Sequence, residues 1–332
     1  MRPEIEEFWT WWATARPSIE TAIADGDWGD LPEQITSRVH AINPDLSWEF
    51  GPGEVARHCL CVTSGGLRGL RTIAERWLRA APPADTNWEF HAARRPERDR
   101  FSTGIAFEVE GAEVEPASAR FSVDVDEDRR LVHVEIFHPI FPHVPAPVRG
   151  QITFLVLEWL LGEDGIERWL GAISIAADEP LGALTPDELI EVIDRLGREP
   201  EEPTFALLSG MDADGWPLLI TVRQPLKRVE YPLFDLHAEV VVCYAEQQDN
   251  GLPELGELDR LTRIEDGLLS ALGDEAILAA VVSSRGRRTF HLYADAEGPA
   301  PALLESWQTV SAVDANVAWS HDPAWDAVGR FL

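Results

Sequence analysis

The stretch Ser284-Arg285-Gly286-Arg287-Arg288-Thr289-Phe290-His291-Leu292-Tyr293 places three arginines within four residues, in a chain of 332 residues with a formal charge of −30. Guanidinium groups gathered in this way suit an acidic protein or an anionic metabolite, because each presents a fork of donors. The flanking runs Val281 to Ser283 and Thr289 to Ala294 place the arginines at the tip of a hairpin, with Gly286 able to take a positive φ. In the descending strand Phe290 and Leu292 should face one side, and His291 and Tyr293 the other. Arg285, Arg287, Arg288, His291 and Tyr293 are therefore the candidate ligand or partner contacts. A turn whose charges discourage edge-to-edge pairing accounts for the same residues without any ligand, and it is the favoured reading.

Other residue types are arranged less suggestively. His133 and Glu135 share a strand face, and His138 and His143 follow, but Pro139, Pro142, Pro145 and Pro147 mark an irregular connection and not the tight repeated spacing of a metal site. Ser64-Gly65-Gly66, with Arg68 and Arg71 nearby, lies between a strand and a helix; without GxxxxGK[ST] the glycines read as a tight turn. Cys59 has His58 beside it, yet consecutive strand residues point to opposite faces, which leaves that imidazole badly placed as a base. No GxSxG elbow occurs. Acid pairs such as Glu265-Asp266, or Asp322 beside His321, are expected in a chain with 58 acidic residues. No catalytic, cofactor-binding or metal-binding residue is assigned.

The elements that must position these groups follow from composition and periodicity. Hydrophobic content of 45% and charged content of 26% are those of an ordinary folded protein, and the length favours at least two domains. The excess of 58 acidic over 28 basic residues disfavours nucleic acid and anionic membrane as partners. Three cysteines without CxxC spacing indicate neither a disulfide framework nor a zinc knuckle, so a reducing cytoplasm fits. Cys59 and Cys61 read as buried small hydrophobes on one strand face. The N-terminus lacks the basic and apolar segments of a signal peptide, and the most apolar run, Ile152 to Leu161, is about half a membrane span. Arginine supplies nearly all the positive charge, Lys227 being the only lysine, as a GC-rich bacterial genome would produce.

Glu4 to about Ile23 predicts an amphipathic helix with Phe8, Trp9, Trp11 and Trp12, which read as a face packed on a sheet in preference to a sugar-stacking surface. A strand-strand-helix-strand order then occurs three times. The first copy has strands at Leu46–Phe50 and His58–Val62, a helix with Ile73 and Trp77, and a strand with Trp88 and Phe90. The second has Ala119–Val125, Leu131–Phe137, a helix over about Val148–Leu161 and a strand near Ala172–Ile175. The third has Ala276–Val282, Thr289–Ala294, a helix with Leu304 and Trp307, and a strand with Val317 and Trp319. Thr185-Pro186-Asp187-Glu188 is a helix start with a capping carboxylate. The Gly197–Pro203 stretch is the candidate linker, dividing an N-terminal domain, 1–198, from a C-terminal one, 203–332. The expected fold is α+β, with antiparallel sheets and helices packed on them in ferredoxin-like sandwich fashion.

The motifs Asp214-Gly215-Trp216-Pro217, Arg228-Val229-Glu230-Tyr231-Pro232, Asn250-Gly251-Leu252-Pro253, Ile264-Glu265-Asp266, Gly286 to Tyr293, and His321-Asp322-Pro323-Ala324-Trp325 with the ending Phe331-Leu332 come in an order that resembles the bacterial domain-of-unknown-function family 695, over about 203–332. Residues 8–175, with FWTWW, LSWEFGPG, NWEFHAARRP and LLGEDGIERWLGAI, resemble an N-terminal module of similar uncharacterised bacterial proteins. The resemblance implies a fold and a bacterial cytoplasmic setting but no reaction, cofactor or catalytic residue. Some relatives look similar to acidic protein regulators of ribonuclease E, which implies only a class of action.

The leading expectation is a noncatalytic cytoplasmic protein that regulates or inhibits another macromolecule through protein–protein contact. The alternative is an enzyme or binding protein for a small polar or phosphorylated metabolite in an inter-domain cleft, with Arg287, Arg288, His291 and Tyr293 as its binding groups.

Overall fold

A computed structural model describes residues 2–102, 104, 106–198 and 203–331. The chain divides into two compact units, Met1–Pro200 and Glu201–Leu332. The expected boundary at residues 199–202 lies outside the described residues, while Gly197 and Arg198 belong to the last helix of the first unit.

The first unit opens with helices α1 (Pro3–Asp25) and α2 (Leu31–Ile42), followed by β1 (Ser47–Pro52), β2 (His58–Thr63), α3 (Arg71–Arg79) and β3 (Trp88–His91). β1 and β2 form an antiparallel hairpin, and β3 returns parallel to β2 after crossing over through α3. Alternation along the strands sends Leu60, Val62, Trp88 and Phe90 toward the helices, where they meet Phe8, Trp12 and Trp77 in one core. The tryptophans are thus packing groups: Trp9 stacks on Trp77 at 4.8 Å and donates its indole N–H to the carbonyl of Trp77.

The same unit continues with α4 (Asp99–Ser102), a small pair β4 (Phe107–Val109) and β5 (Ala112–Val114), then β6 (Arg120–Asp126), β7 (Leu131–Phe137), α5 (Ala146–Trp169), β8 (Leu170–Ile175) and α6 (Pro186–Arg198). The second strand-strand-helix-strand order is again a hairpin plus a parallel third strand. Within the α+β class, these two sheets are therefore mixed and not purely antiparallel. The apolar helix ends at Leu161 as expected, because Gly162, at φ 72° and ψ 169°, is non-helical and puts a kink in α5, beyond which a second helical segment continues to Trp169. A Cβ there would lie 2.7 Å from the carbonyl oxygen of Arg94, so only glycine fits. Thr185 and Glu188 form the expected reciprocal cap at the start of α6.

The second unit contains β9 (Thr204–Met211), β10 (Pro217–Gln224), β11 (Leu236–Cys243), α7 (Leu255–Leu272), β12 (Ala276–Ser284), β13 (Arg287–Ala294), α8 (Ala300–Ser311), β14 (Ala315–His321) and the short α9 (Asp326–Gly329). Its six strands lie in the order β14-β11-β13-β12-β10-β9, all neighbours antiparallel. The third repeat therefore differs from the other two, because β11 is inserted between β13 and β14. Helices α7 and α8 cover one face through Leu261, Leu268, Leu304 and Trp307. On the other face the loop after β10 and the C-terminal segment pack Phe234, Trp325, Val328 and Phe331 over Ile220, Val222 and Tyr293. Among the described residues, no helix is long and apolar enough to cross a membrane.

Candidate functional site

The arginine hairpin is tighter than the sequence pattern indicates. Strands β12 and β13 run up to Ser284 and Arg287, so the turn is only Arg285-Gly286, with φ 50° and 71°. Two positive φ values define the turn type whose twist matches that of the flanking strands. Arginine is an unusual residue at such a φ, and ion pairs hold it there: its Nε donates to Asp212 at 2.6 Å and its Nη2 to Asp214 at 2.5 Å. The guanidinium also lies over the ring of Trp216. The turn packs on Gly251, whose Cβ, if present, would come within 3.0 Å of the Arg285 Cα, and Gly286 donates its N–H to the Gly251 carbonyl. Asp214-Gly-Trp-Pro, Asn250-Gly-Leu-Pro and Gly286-Arg287 thus meet at one corner, where they complete a junction of three loops.

The five candidate contacts are not brought together. Arg285 stands at that corner, already paired. Arg287 and Arg288 lie in β13 and not at the tip; Arg287 is exposed, whereas Arg288 turns toward the helices. There its Nε donates to Ser283 Oγ at 3.1 Å and its Nη1 lies 4.0 Å from Glu265. Burial pulls the Arg288 guanidinium below its usual range, partly offset by Glu265. His291 and Tyr293 share the opposite sheet face, as alternation requires, while Phe290 and Leu292 join the helix-side core.

Around His291 and Tyr293 the structure assembles residues that periodicity did not single out. The register sets Ser320, His237 and Tyr293 in one row across β14, β11 and β13, with Glu239 and His291 in the next. His237 Nε2 lies 3.1 Å from His291 Nδ1, and the two rings are nearly parallel. Burial, helped by His237 and Arg330, lowers the His291 pKa to about 4. Tyr293 donates its hydroxyl to Asp322 at 2.6 Å, and Trp325 stacks on its ring at 4.2 Å. The Asp322 carboxylate also accepts backbone N–H groups from Asp326 and Ala327, capping α9. Burial opposes these contacts, but together they hold Asp322 below the usual carboxylate range. Tyr293 is pushed well above its ordinary range, first by burial and then by Asp322. Trp325 in turn donates its indole N–H to the carbonyl of Phe234, which seals the cap. The His321–Asp322 and Arg228–Tyr231 motifs also pack here: Arg228 donates to the carbonyl of Pro323, Tyr231 stacks with Trp325, and His321 lies 3.4 Å from Asp235. Ser320 Oγ is 3.4 Å from His237 Nδ1, longer than the roughly 2.6–3.2 Å of an engaged nucleophile and base.

The weaker motifs in the first unit also resolve into packing. Thr63 donates its hydroxyl to Glu163 and accepts the N–H of Gly65, so the Ser64-Gly65-Gly66 loop lies against a carboxylate. Arg71 is bonded to Asp164 and Glu75, and Arg94 to Glu49, Glu158 and Glu163. Cys61 faces away from the tryptophan core, in register with Glu49 and His91; burial and then Glu49 push its thiol far up, against nucleophilic use. His133 Nδ1 accepts the N–H of Ala172, and His138 is held by the Glu115 carbonyl and the Ile140 N–H. Among the described residues no three His, Cys, Asp or Glu side chains are grouped to hold a metal ion.

A strand is expected from the sequence near Thr204–Leu208, and β9 is found there; what periodicity does not indicate is its edge position and exposed apolar side chains. Phe205, Leu207 and Met211 project on the helix side of the sheet, beyond the reach of α7 and α8, and are 46%, 66% and 74% exposed. Leu208 on the opposite side and Trp216 just past the strand are also exposed.

The architecture is that of an α+β protein in two units, with an antiparallel six-stranded sheet carrying the residues of greatest interest. Residues 211–332, from the end of β9 onward, match the sequence model of the Family of unknown function (DUF695). No curated protein and no solved structure matches the chain.

Proposed function

We propose that this protein works by protein–protein contact, as a regulator or inhibitor of another macromolecule, and that the contact surface is the β9 edge of its C-terminal unit. The observation carrying this reading is the exposure of Phe205, Leu207 and Met211 on a strand that, among the described residues, has no strand along its outer side. An open edge with apolar side chains accepts a strand from another chain, the added backbone bonds giving affinity and the side chains selectivity. The internal pairing of Arg285, Arg288, His291 and Tyr293 supports the same reading, because these groups are engaged in holding the fold.

The test is affinity capture from the native cell with wild type and with Leu207→Lys. Leu207 is exposed, so the variant keeps its fold while placing a charge at the centre of the edge. A partner held by wild type and lost by the variant supports the reading. Identical recovery from both would remove it.

A further inference from the structure

Resting on the reading of β9 as a contact edge, we propose that its resting occupant is β9 of a second copy of this chain, paired antiparallel about a twofold axis at Leu208.

Edge strands are normally guarded by charge, proline or a bulge. β9 has none of these. Thr204 to Met211 contains no charged residue and no proline, although the chain as a whole is 26% charged, and its register with β10 is unbroken from one end to the other. A chain of charge −30 repels its own copies through most of its surface. The uncharged strand is a place where two copies can approach. Acids stand only outside the strand: Asp212 and Asp214 after its C-terminal end share the single guanidinium of Arg285, and Glu201 and Glu202 precede Pro203 at the other end.

The sequence of the strand suits self-pairing in one register. With Leu208 opposite itself, Phe205 faces the partner's Met211 and Leu207 faces the partner's Ser209 on the helix side. On the other side, Ala206 faces the partner's Gly210. The bulkiest exposed groups are thus paired with each other and the smallest with each other, as cross-strand packing favours. A slip that put Leu207 on the axis would set Phe205 against Ser209 and lose that match. The product is a continuous sheet through both copies, with α7 and α8 of each on the same face. An eight-residue edge spans about 26 Å. Alone it buries less than a standard interface, so pairing is expected to depend on protein concentration.

Sedimentation of the full chain over a concentration series tests the proposal, together with two variants. Wild type should move from the monomer mass to twice that mass as concentration rises, and Leu207→Lys should stay monomeric with an unchanged melting curve. In a Cys243→Ser background, Leu208→Cys should form a disulfide between copies on mild oxidation, since opposed residues on paired strands lie within disulfide range. Ala206→Cys should crosslink only when mixed with Gly210→Cys. A monomer at every concentration, a dimer that survives Leu207→Lys, or crosslinking through Leu207→Cys in place of Leu208→Cys would overturn the pairing. Capture from cells scores the contact reading separately, so a monomeric protein that still loses a partner on Leu207→Lys would sink only the self-pairing.

Discussion

His237 and His291, 54 positions apart in sequence, bring Nε2 and Nδ1 to 3.1 Å on the capped face of the six-stranded sheet. With one ring donating and the other accepting, the pair is satisfied only while neutral, and burial enforces that state. Because His291 titrates at about 4 when folded and near 6.5 when unfolded, the unfolded chain binds the extra proton between those values. Its contribution is fully present above about pH 6.5 and falls as pH drops toward 4. The full shift corresponds to up to about 3 kcal/mol. Melting temperatures of wild type should decline between pH 6.5 and 4, and His291→Asn should decline less steeply over that window. Parallel curves would refute the assignment.

Glu89 is the corresponding group in the first unit. Burial alone would raise its pKa, but N–H groups of Glu54, Ala56 and Val55, with His91, hold it at about 2. A depressed carboxylate contributes stability above its unfolded value of about 4.5 that is lost as pH falls toward 2. Glu89→Gln should destabilise the first unit by about 1–3 kcal/mol at pH 7, with the gap from wild type narrowing at pH 3. Urea unfolding at the two pH values gives both numbers.

Gly162 should tolerate no side chain. Its φ and ψ are in a region open essentially to glycine alone, and an added methyl meets the Arg94 carbonyl and Pro96. Gly162→Ala is expected to cost about 3 kcal/mol or more, and Gly165→Ala, in regular helix beside it, much less. Equal effects in thermal unfolding would show that the break in α5 does not constrain the fold.

Gly251 supports the arginine corner in the same way. At φ 77°, with Arg285 Cα 3.0 Å from the would-be Cβ, Gly251→Ala should shift the urea midpoint by the equivalent of about 2 kcal/mol. Replacing Arg285, Arg287 and Arg288 together with serine does a different thing. It removes the buried Arg288 contact with Ser283 and should therefore be less stable than Arg285→Ser with Arg287→Ser alone.

The parts legible in the sequence were those set by local rules. Alternation placed Phe290 and Leu292 opposite His291 and Tyr293, and Thr185 and Glu188 announced the start of α6. The three repeated orders were visible, but the insertion of β11 into the third was not, because strand order depends on pairings between distant segments. For the same reason Arg285 looked available: its carboxylates, Asp212 and Asp214, lie more than 70 positions away. The family-like motifs DGWP and NGLP mark the loops that meet at the arginine corner, and HDPAW supplies Asp322 and Trp325 to the cap over Tyr293. A strand near Thr204–Leu208 was legible, but not its edge position, because a short uncharged run reads the same whether it is buried or left on an edge.

The most direct test of contact through β9 is site-specific photo-crosslinking in living cells, with a photoreactive residue at Leu207 and, as control, at the fully exposed Val55. Discrete protein adducts, to a second copy or to another chain, are predicted from position 207 and not from position 55. Adducts from neither position, or the same pattern from both, would contradict the account.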